Sequence, residues 1–303
     1  MNLLGRGLLA VTDWSPARKL FTATTAGKRL SHRFVAGETL DEAVAVAAEL
    51  NAAGAQVSLD FLGELVADST ACFEARDAYL ACLDRIGSDG LDANISVKLT
   101  QLGLGFDESL TAELLAQLAE RALDIGTTIT VDMEESAFAE STISVYEVVQ
   151  SAAGNLGIAV QAYLYRTQAD LDRIIPLGGH VRLCKGAYAE PEVVAYPSRA
   201  RVDAAFDDLS RRLMTEPGVL VAIATHDLPR IDLVRELGAE RSAPWEFQML
   251  FGVRRQLQTQ LIEAGHPLRI YLPYGSAWYS YLTRRVAERP ANLAFLLRAA
   301  AGK

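Results

Sequence analysis

From residue 56 to the end of the chain, eight short runs of aliphatic and β-branched residues alternate with longer amphipathic runs. The short runs are 56–59, 94–98, 128–132, 159–163, 181–184, 219–224, 246–250 and 269–272. Between them lie helical patterns at 69–86, 109–125, 142–153, 167–175, 199–214, 231–237 and 253–264. Short continuous apolar runs read as strands buried on both faces, and a sheet covered on both faces is typically parallel. Eight strand-helix units therefore predict an α/β protein of the closed (β/α)8 barrel type more readily than an open sheet. With 303 residues, half of them hydrophobic, the chain has enough apolar material for one large core. Before the first strand, Thr39 and Glu42 have the spacing of a capping box, so a helix is expected from there through Asn51, closed by Gly54. Residues 1–34 read as an N-terminal helical arm and 35–303 as the barrel.

The formal charge is −9 and the basic residues are scattered, which argues against a nucleic-acid partner. Cys72, Cys82 and Cys184 show neither metal-ligand spacing nor an even disulfide set, so a reducing, cytoplasmic setting is expected. The apolar start lacks the order of a signal peptide, and no run approaches the ~18–20 apolar residues of a membrane span. Peripheral contact with the inner face of the cell membrane and association into a homo-oligomer are left open.

On a barrel of this type the active site sits where strands end and βα loops begin. Polar residues gather at those positions: Asp60 and Glu64 after the first strand, Lys98 after the second, Asp132, Met133 and Glu134 after the third, and Gln161 on the fourth. Arg182 and Lys185-Gly-Ala-Tyr188 follow on the fifth, Thr225, His226 and Asp227 after the sixth, and Tyr271 on the eighth. Past the eighth strand, Pro273 and Gly275 are expected to break the strand before a helix that Ser276 can cap and Pro290 stops. On that helix Tyr281, Arg284, Arg285 and Glu288 share one polar stripe. Two adjacent guanidiniums match a carboxylate or phosphate as an anion clamp, and they equally fit a solvated basic face balanced by Glu288.

Lys98 has three readings: a cation for a substrate anion, a Schiff-base lysine, or a rim partner of Asp132 or Glu134. Asp132 either orients Lys98 and the arginines or simply neutralises them. The segment Val181-Arg-Leu-Cys-Lys-Gly-Ala-Tyr188, with Thr225-His226 on the next strand, suits a phosphate-bearing cofactor lying across strands five and six. No glycine fingerprint of the Rossmann or P-loop type is present, and the four histidines lack metal-ligand spacing, so no metal is expected.

Seven ordered motifs then converge: Leu59-Asp-Phe-Leu-Gly-Glu64, Ser96-Val-Lys-Leu-Thr-Gln-Leu-Gly103, Val131-Asp132, Val181-Arg-Leu-Cys-Lys-Gly-Ala-Tyr188, Ala224-Thr-His-Asp227, Glu246-Phe-Gln-Met-Leu-Phe-Gly252, and the 269–292 stretch with Tyr281-Leu-Thr-Arg-Arg-Val-Ala-Glu-Arg-Pro-Ala-Asn292. Together they resemble the proline dehydrogenase family, in the short monofunctional bacterial form related to the proline dehydrogenase domain of bifunctional proline utilisation proteins. The resemblance implies a distorted (β/α)8 barrel that holds FAD noncovalently. It also implies oxidation of L-proline to Δ1-pyrroline-5-carboxylate by hydride transfer from C5 to flavin N5, as the first step of proline degradation, with electrons passed to a membrane quinone. By the same resemblance Arg284, Arg285 and Lys98 would hold the proline carboxylate, supported by Asp132, and Arg182 would lie near flavin N5. Met133, Gln161, Lys185, Gly186, Ala187, Tyr188, Thr225 and His226 would contact FAD. Tyr271 and Leu250 would close over the proline ring near Tyr281, and Glu64 would pair with Arg284 as a gate. The rival readings are a Schiff-base lyase or aldolase built on Lys98 and a non-catalytic barrel.

Overall fold

A computed structural model describes residues 32–63, 65–279 and 281. Its strands are β1 (Gln56–Phe61), β2 (Ala93–Val97), β3 (Ile129–Val131), β4 (Leu156–Gln161), β5 (His180–Cys184), β6 (Leu220–Ala224), β7 (Trp245–Leu250) and β8 (Leu268–Tyr274). Each pairs in parallel with the next and β8 closes on β1, so the expected closed barrel is the observed one. The helices are α1 (Leu40–Ala52), α2 (Ser69–Asp89), α3 (Glu108–Asp124), α4 (Ala139–Ala153), α5 (Thr167–Ile174), α6 (Arg199–Met214), α7 (Leu228–Glu240) and α8 (Arg255–Glu263).

Local chemistry accounts for several of these boundaries. The Thr39 hydroxyl accepts the Glu42 N–H at 3.3 Å and the Glu42 carboxylate accepts the Thr39 N–H at 3.0 Å, so the capping box opens α1 as expected. Asp68 and Asp107 cap α2 and α3 in the same way, each accepting from the third helical amide. Helix α7 begins three residues before the expected start because Pro229 sits in its first turn, where a missing N–H costs nothing. Strand β4 begins at Leu156 rather than 159. Gly157, a poor strand residue by propensity, lies under the His180 ring, and a Cβ there would stand 2.1 Å from that ring.

The expected break at Pro273 does not occur: β8 continues through Pro273 to Tyr274. The ladder to β7 ends at Tyr271, whose carbonyl accepts the Phe251 N–H. Two residues on, the same side of the strand carries Pro273, so its missing N–H faces a place where no β7 carbonyl awaits it. The Pro273 carbonyl instead accepts the Ala36 N–H at 2.9 Å, and the residues before α1 thereby finish the barrel rim. Phe34 and Val35 are buried there with Leu62, Trp278, Tyr279 and Tyr281.

Strand alternation sorts the side chains into two sets. Val57, Leu59, Ile95, Val97, Ile129, Val131, Val181, Leu183, Val221, Ile223, Phe247, Ile270 and Leu272 all belong to one apolar core together with Tyr79, Leu83, Leu114, Leu118, Tyr146 and Phe206 from the surrounding helices. The alternate positions fill the barrel with polar groups: Ser58 and Asp60, Asn94 and Ser96, Thr130, His180 and Arg182, Glu246 and Gln248 are all buried. They bond across the barrel, as when Arg182 on β5 reaches Ser58 on β1 at 3.3 Å and Ser96 on β2 at 3.0 Å.

Gly252 illustrates how tightly the rim is closed. Its φ is +74° and a Cβ would lie 1.7 Å from the Arg33 carbonyl oxygen. Gly252→Ala is therefore expected to destabilise the fold by roughly 1–3 kcal/mol, through backbone conformation and backbone clash together, as read by urea unfolding.

Candidate active site

A cavity of about 710 Å³ opens at the C-terminal ends of the strands. Thirteen of the residues singled out from the sequence line it together: Lys98, Asp132, Met133, Arg182, Lys185, Gly186, Ala187, Tyr188, Thr225, His226, Leu250, Tyr271 and Tyr281. Arg284, Arg285 and Glu64 lie outside the described residues, so the arginine clamp and the Glu64–Arg284 gate have no structural account.

At one end of this cavity two buried cations share two carboxylates. Asp132 is the hub: one oxygen accepts from Arg182 Nη1 at 2.6 Å, the other from the Tyr271 hydroxyl at 2.7 Å and from Lys98 Nζ at 3.4 Å. Lys98 Nζ also donates to Asp60 at 2.5 Å, and Tyr271 lies 3.3 Å from the same ammonium. The guanidinium of Arg182 sits 5.2 Å from the centre of the Tyr271 ring, in cation–π range. Burial opposes the charge on Lys98, but Asp60, Tyr271 and Asp132 outweigh it and hold the ammonium's pKa well above the usual lysine value. Burial, with Asp132 and Asp60 adding to it, raises the Tyr271 phenol well above its usual value, so it stays neutral and can donate. A protonated Lys98 tied to three groups does not suit Schiff-base chemistry, which needs a neutral amine.

Sequence reasoning foresaw Asp132 or Glu134 as the rim partner of Lys98. Asp132 is one partner, whereas Glu134 turns away to accept the Thr100 N–H at 3.1 Å and the Thr100 hydroxyl at 2.7 Å. Burial pushes the Glu134 carboxyl up. Asp60 was noted at its strand end but given no role, and it is the other partner, 1 % exposed, with its second oxygen unpartnered in the protein. Its signal was its place two residues after Ser58, the same step that separates Ser96 from Lys98 and Thr130 from Asp132.

On the β5–β6 side, Lys185 bridges Asp203 and Asp227, the latter at 2.8 Å, while Arg230 stands 3.6 Å from both carboxylates. His226 accepts the Leu250 N–H at 2.9 Å through Nε2. Gly186 has φ +109°, and a Cβ there would strike the Tyr163 ring at 2.3 Å, so backbone alone fits between strand five and that ring. Gln161 does not line the cavity; its amide N donates to the carbonyls of Met133 and Glu134 at 2.9 and 2.7 Å. Those two bonds leave its oxygen as a buried acceptor without a partner. Asp227, noted at its strand end, also lines the cavity, as do Arg199, Gln248 and Arg254, which were given no role; Arg254 holds φ +52°, the left-handed region that is unfavourable for a residue with a side chain.

Residues 43–298 match the sequence model of the proline dehydrogenase family. The chain belongs to the proline dehydrogenase family. It is 38 % identical over 280 residues to proline dehydrogenase 1 of Bacillus subtilis subsp. natto, covering 91 % of this chain and 92 % of that one. It is 36 % identical over 281 residues to the proline dehydrogenase of Deinococcus radiodurans, covering 89 % of each. Membership makes the chain an oxidoreductase acting on proline. Among solved structures, proline utilization A (PutA) from Bdellovibrio bacteriovorus superposes with a TM-score of 0.81 over 86 % of this chain at 21 % identity, a likeness of fold. PutA from Bradyrhizobium japonicum gives 0.76 over 90 % at 27 % identity. The chain spans 33 % and 32 % of those longer chains. No helix among the described residues is long and apolar enough to cross a membrane.

Proposed function

We propose that the chain is an FAD-dependent enzyme that oxidises L-proline to Δ1-pyrroline-5-carboxylate. The observation that carries this reading is the cluster of Lys98 and Arg182 neutralised by Asp60 and Asp132 and packed on the Tyr271 ring, at one end of a cavity large enough for more than a small amino acid. The other residues fit a flavin nucleotide. Lys185, Arg199 and Arg254 offer cations for phosphates, and Gly186 lets backbone approach closely.

Bound FAD would supply the hydride acceptor, flavin N5 taking the hydride from proline C5. The residues of the chain orient the substrate. Lys98, with Arg284 and Arg285, would hold the proline carboxylate, and Asp132 would keep Lys98 and Arg182 fixed while it does so. Tyr271, Leu250 and Tyr281 would pack the ring, while Arg182 would place a permanent positive charge where reduction develops a negative one. Met133, Lys185, Gly186, Ala187, Tyr188, Thr225 and His226 would line the cofactor, with Gln161 behind them on the Met133 and Glu134 carbonyls. A membrane quinone as electron acceptor, peripheral contact with the membrane, a homo-oligomeric assembly, and a division into an arm (1–34) and a barrel (35–303) rest on the sequence alone.

The purified protein is expected to be yellow, with flavin absorbance that L-proline bleaches under anaerobic conditions. A colourless preparation that FAD cannot reconstitute would overturn the reading. A Schiff-base mechanism predicts instead that borohydride with substrate traps a covalent adduct on Lys98.

A further inference from the structure

The guanidinium of Arg182 is held at its far nitrogens by Asp132, Ser58 and Ser96, but its Nε–H has a different partner, the side-chain oxygen of Gln248 at 2.5 Å. Below it, the Gln248 amide N donates to Glu246 at 2.6 Å. The Glu246 carboxylate in turn takes two bonds from Arg269, Nε at 2.8 Å and Nη2 at 3.2 Å, while Arg269 Nη1 donates to the Val57 carbonyl at 3.0 Å. Arg182, Gln248 and Glu246 are each at most 4 % exposed, so this chain runs down the barrel interior away from the cavity.

Every link admits one direction. A guanidinium has no acceptor and an ionised carboxylate has no donor. Arg269 therefore requires acceptor oxygens at position 246, Glu246 requires the NH₂ of Gln248, and the Gln248 oxygen is left facing Arg182. An amide has no intrinsic preference between its two ends; the carboxylate beneath it and the Arg182 Nε–H above it demand the same orientation, and the amide is fixed from both sides. We propose that Glu246 is a positioning residue: by fixing the orientation of the Gln248 amide it holds the plane of the Arg182 guanidinium at the reaction site. The consequence for catalysis rests on the flavoenzyme reading given above; the wiring of the amide does not.

The wiring sets the test. One Glu246 oxygen accepts from both Arg269 Nε and the Gln248 NH₂, so removing the whole carboxylate takes away the acceptor beneath the amide. In Glu246→Met the Gln248 NH₂ is a buried donor with no carboxylate below it, and the amide is free to turn away from the Arg182 Nε–H. In Glu246→Met with Gln248→Glu, the carboxylate at 248 accepts from Arg182 whichever way it turns, and the bond returns. The Glu246→Met variant should lose roughly tenfold or more in kcat, the size of one hydrogen bond to a charged group, with a smaller change in proline KM and FAD retained. The double variant should recover most of that loss.

Hydrogen exchange at the Arg182 Nε–H, read from ¹⁵N-labelled protein as purified with Arg182→Lys to assign the signal, gives a readout independent of catalysis. It should be protected in the parent and the double variant and exchange fast in Glu246→Met. If the Glu246–Arg269 pair served stability alone, both variants would lower Tm alike and neither kcat nor exchange would separate them, and that result would overturn the proposal. Should Glu246→Met fail to fold, Gln248→Met removes the acceptor while leaving the Glu246–Arg269 pair intact; a still-protected Arg182 Nε–H would then sink the idea. Protein that binds no flavin would end the catalytic reading while leaving the exchange comparison decisive for the relay.

Discussion

Asp132→Asn is expected to lower kcat/KM for proline by about 10²-fold or more, because three groups at the reaction site take their positions from this one carboxylate. Arg182, Tyr271 and Lys98 all donate to it, and an asparagine offers a single acceptor oxygen in almost the same shape. Its NH₂ must face either the guanidinium or the pair of Tyr271 and Lys98, so one side of the cluster meets donor against donor. The charge balance changes as well: Lys98 keeps Asp60, while Arg182 loses the one carboxylate it pairs with among the described residues. Removing one partner of a buried ionic cluster costs about 3–5 kcal/mol of stability. Steady-state kinetics and urea unfolding check the two halves separately. A variant with parent kinetics would show that Asp132 merely neutralises its neighbours.

Stability should also fall as pH drops from 7 to 5, and His180 should account for about 2 kcal/mol of that fall, near 1.4 kcal/mol per pH unit once below the unfolded value. His180 lies inside the barrel, where burial, helped by Arg182 and Arg269, lowers its pKa to about 3. Its Nε2 sits 2.7 Å from the Thr130 hydroxyl. The sign follows from linkage. The folded protein keeps the ring neutral, while the unfolded chain binds a proton near the usual value of about 6.5. The contribution of this group is therefore complete above that value and is lost progressively as pH falls from there towards 3. Glu134, whose carboxyl burial raises, acts in the opposite sense, and comparing the parent with His180→Asn cancels its effect. Urea unfolding at pH 7, 6 and 5 should give a shallower decline in the variant; parallel declines would mean that the ring is already protonated in the fold.

The sequence by itself determined the barrel and most of its mouth. Eight short apolar runs with seven helical runs between them have few ways to bury their strands on both faces, and a closed parallel barrel is the economical one. Because that fold puts its strand ends in one place, residues as far apart in sequence as Lys98, Asp132, Arg182 and Tyr271 were legible as neighbours before any coordinate was known. The alternation within the strands was also written there, in Ser58 and Asp60, His180 and Arg182, Glu246 and Gln248, but it passes for noise in runs whose other residues are so strongly apolar.

Tertiary structure alone decided how the charges pair and how the rim is finished. Which carboxylate meets Lys98 depends on differences of an ångström or two between strand ends, a scale that spacing along the chain does not specify: Asp60 won the contact and Glu134 turned to Thr100. Likewise Pro273 remains in its strand because the β7 ladder stops at Tyr271 and Ala36 supplies a donor to its carbonyl, a circumstance fixed by a segment more than two hundred residues away. Local propensity sets what a residue prefers; whether the preference is honoured depends on which partner the closed barrel brings to it.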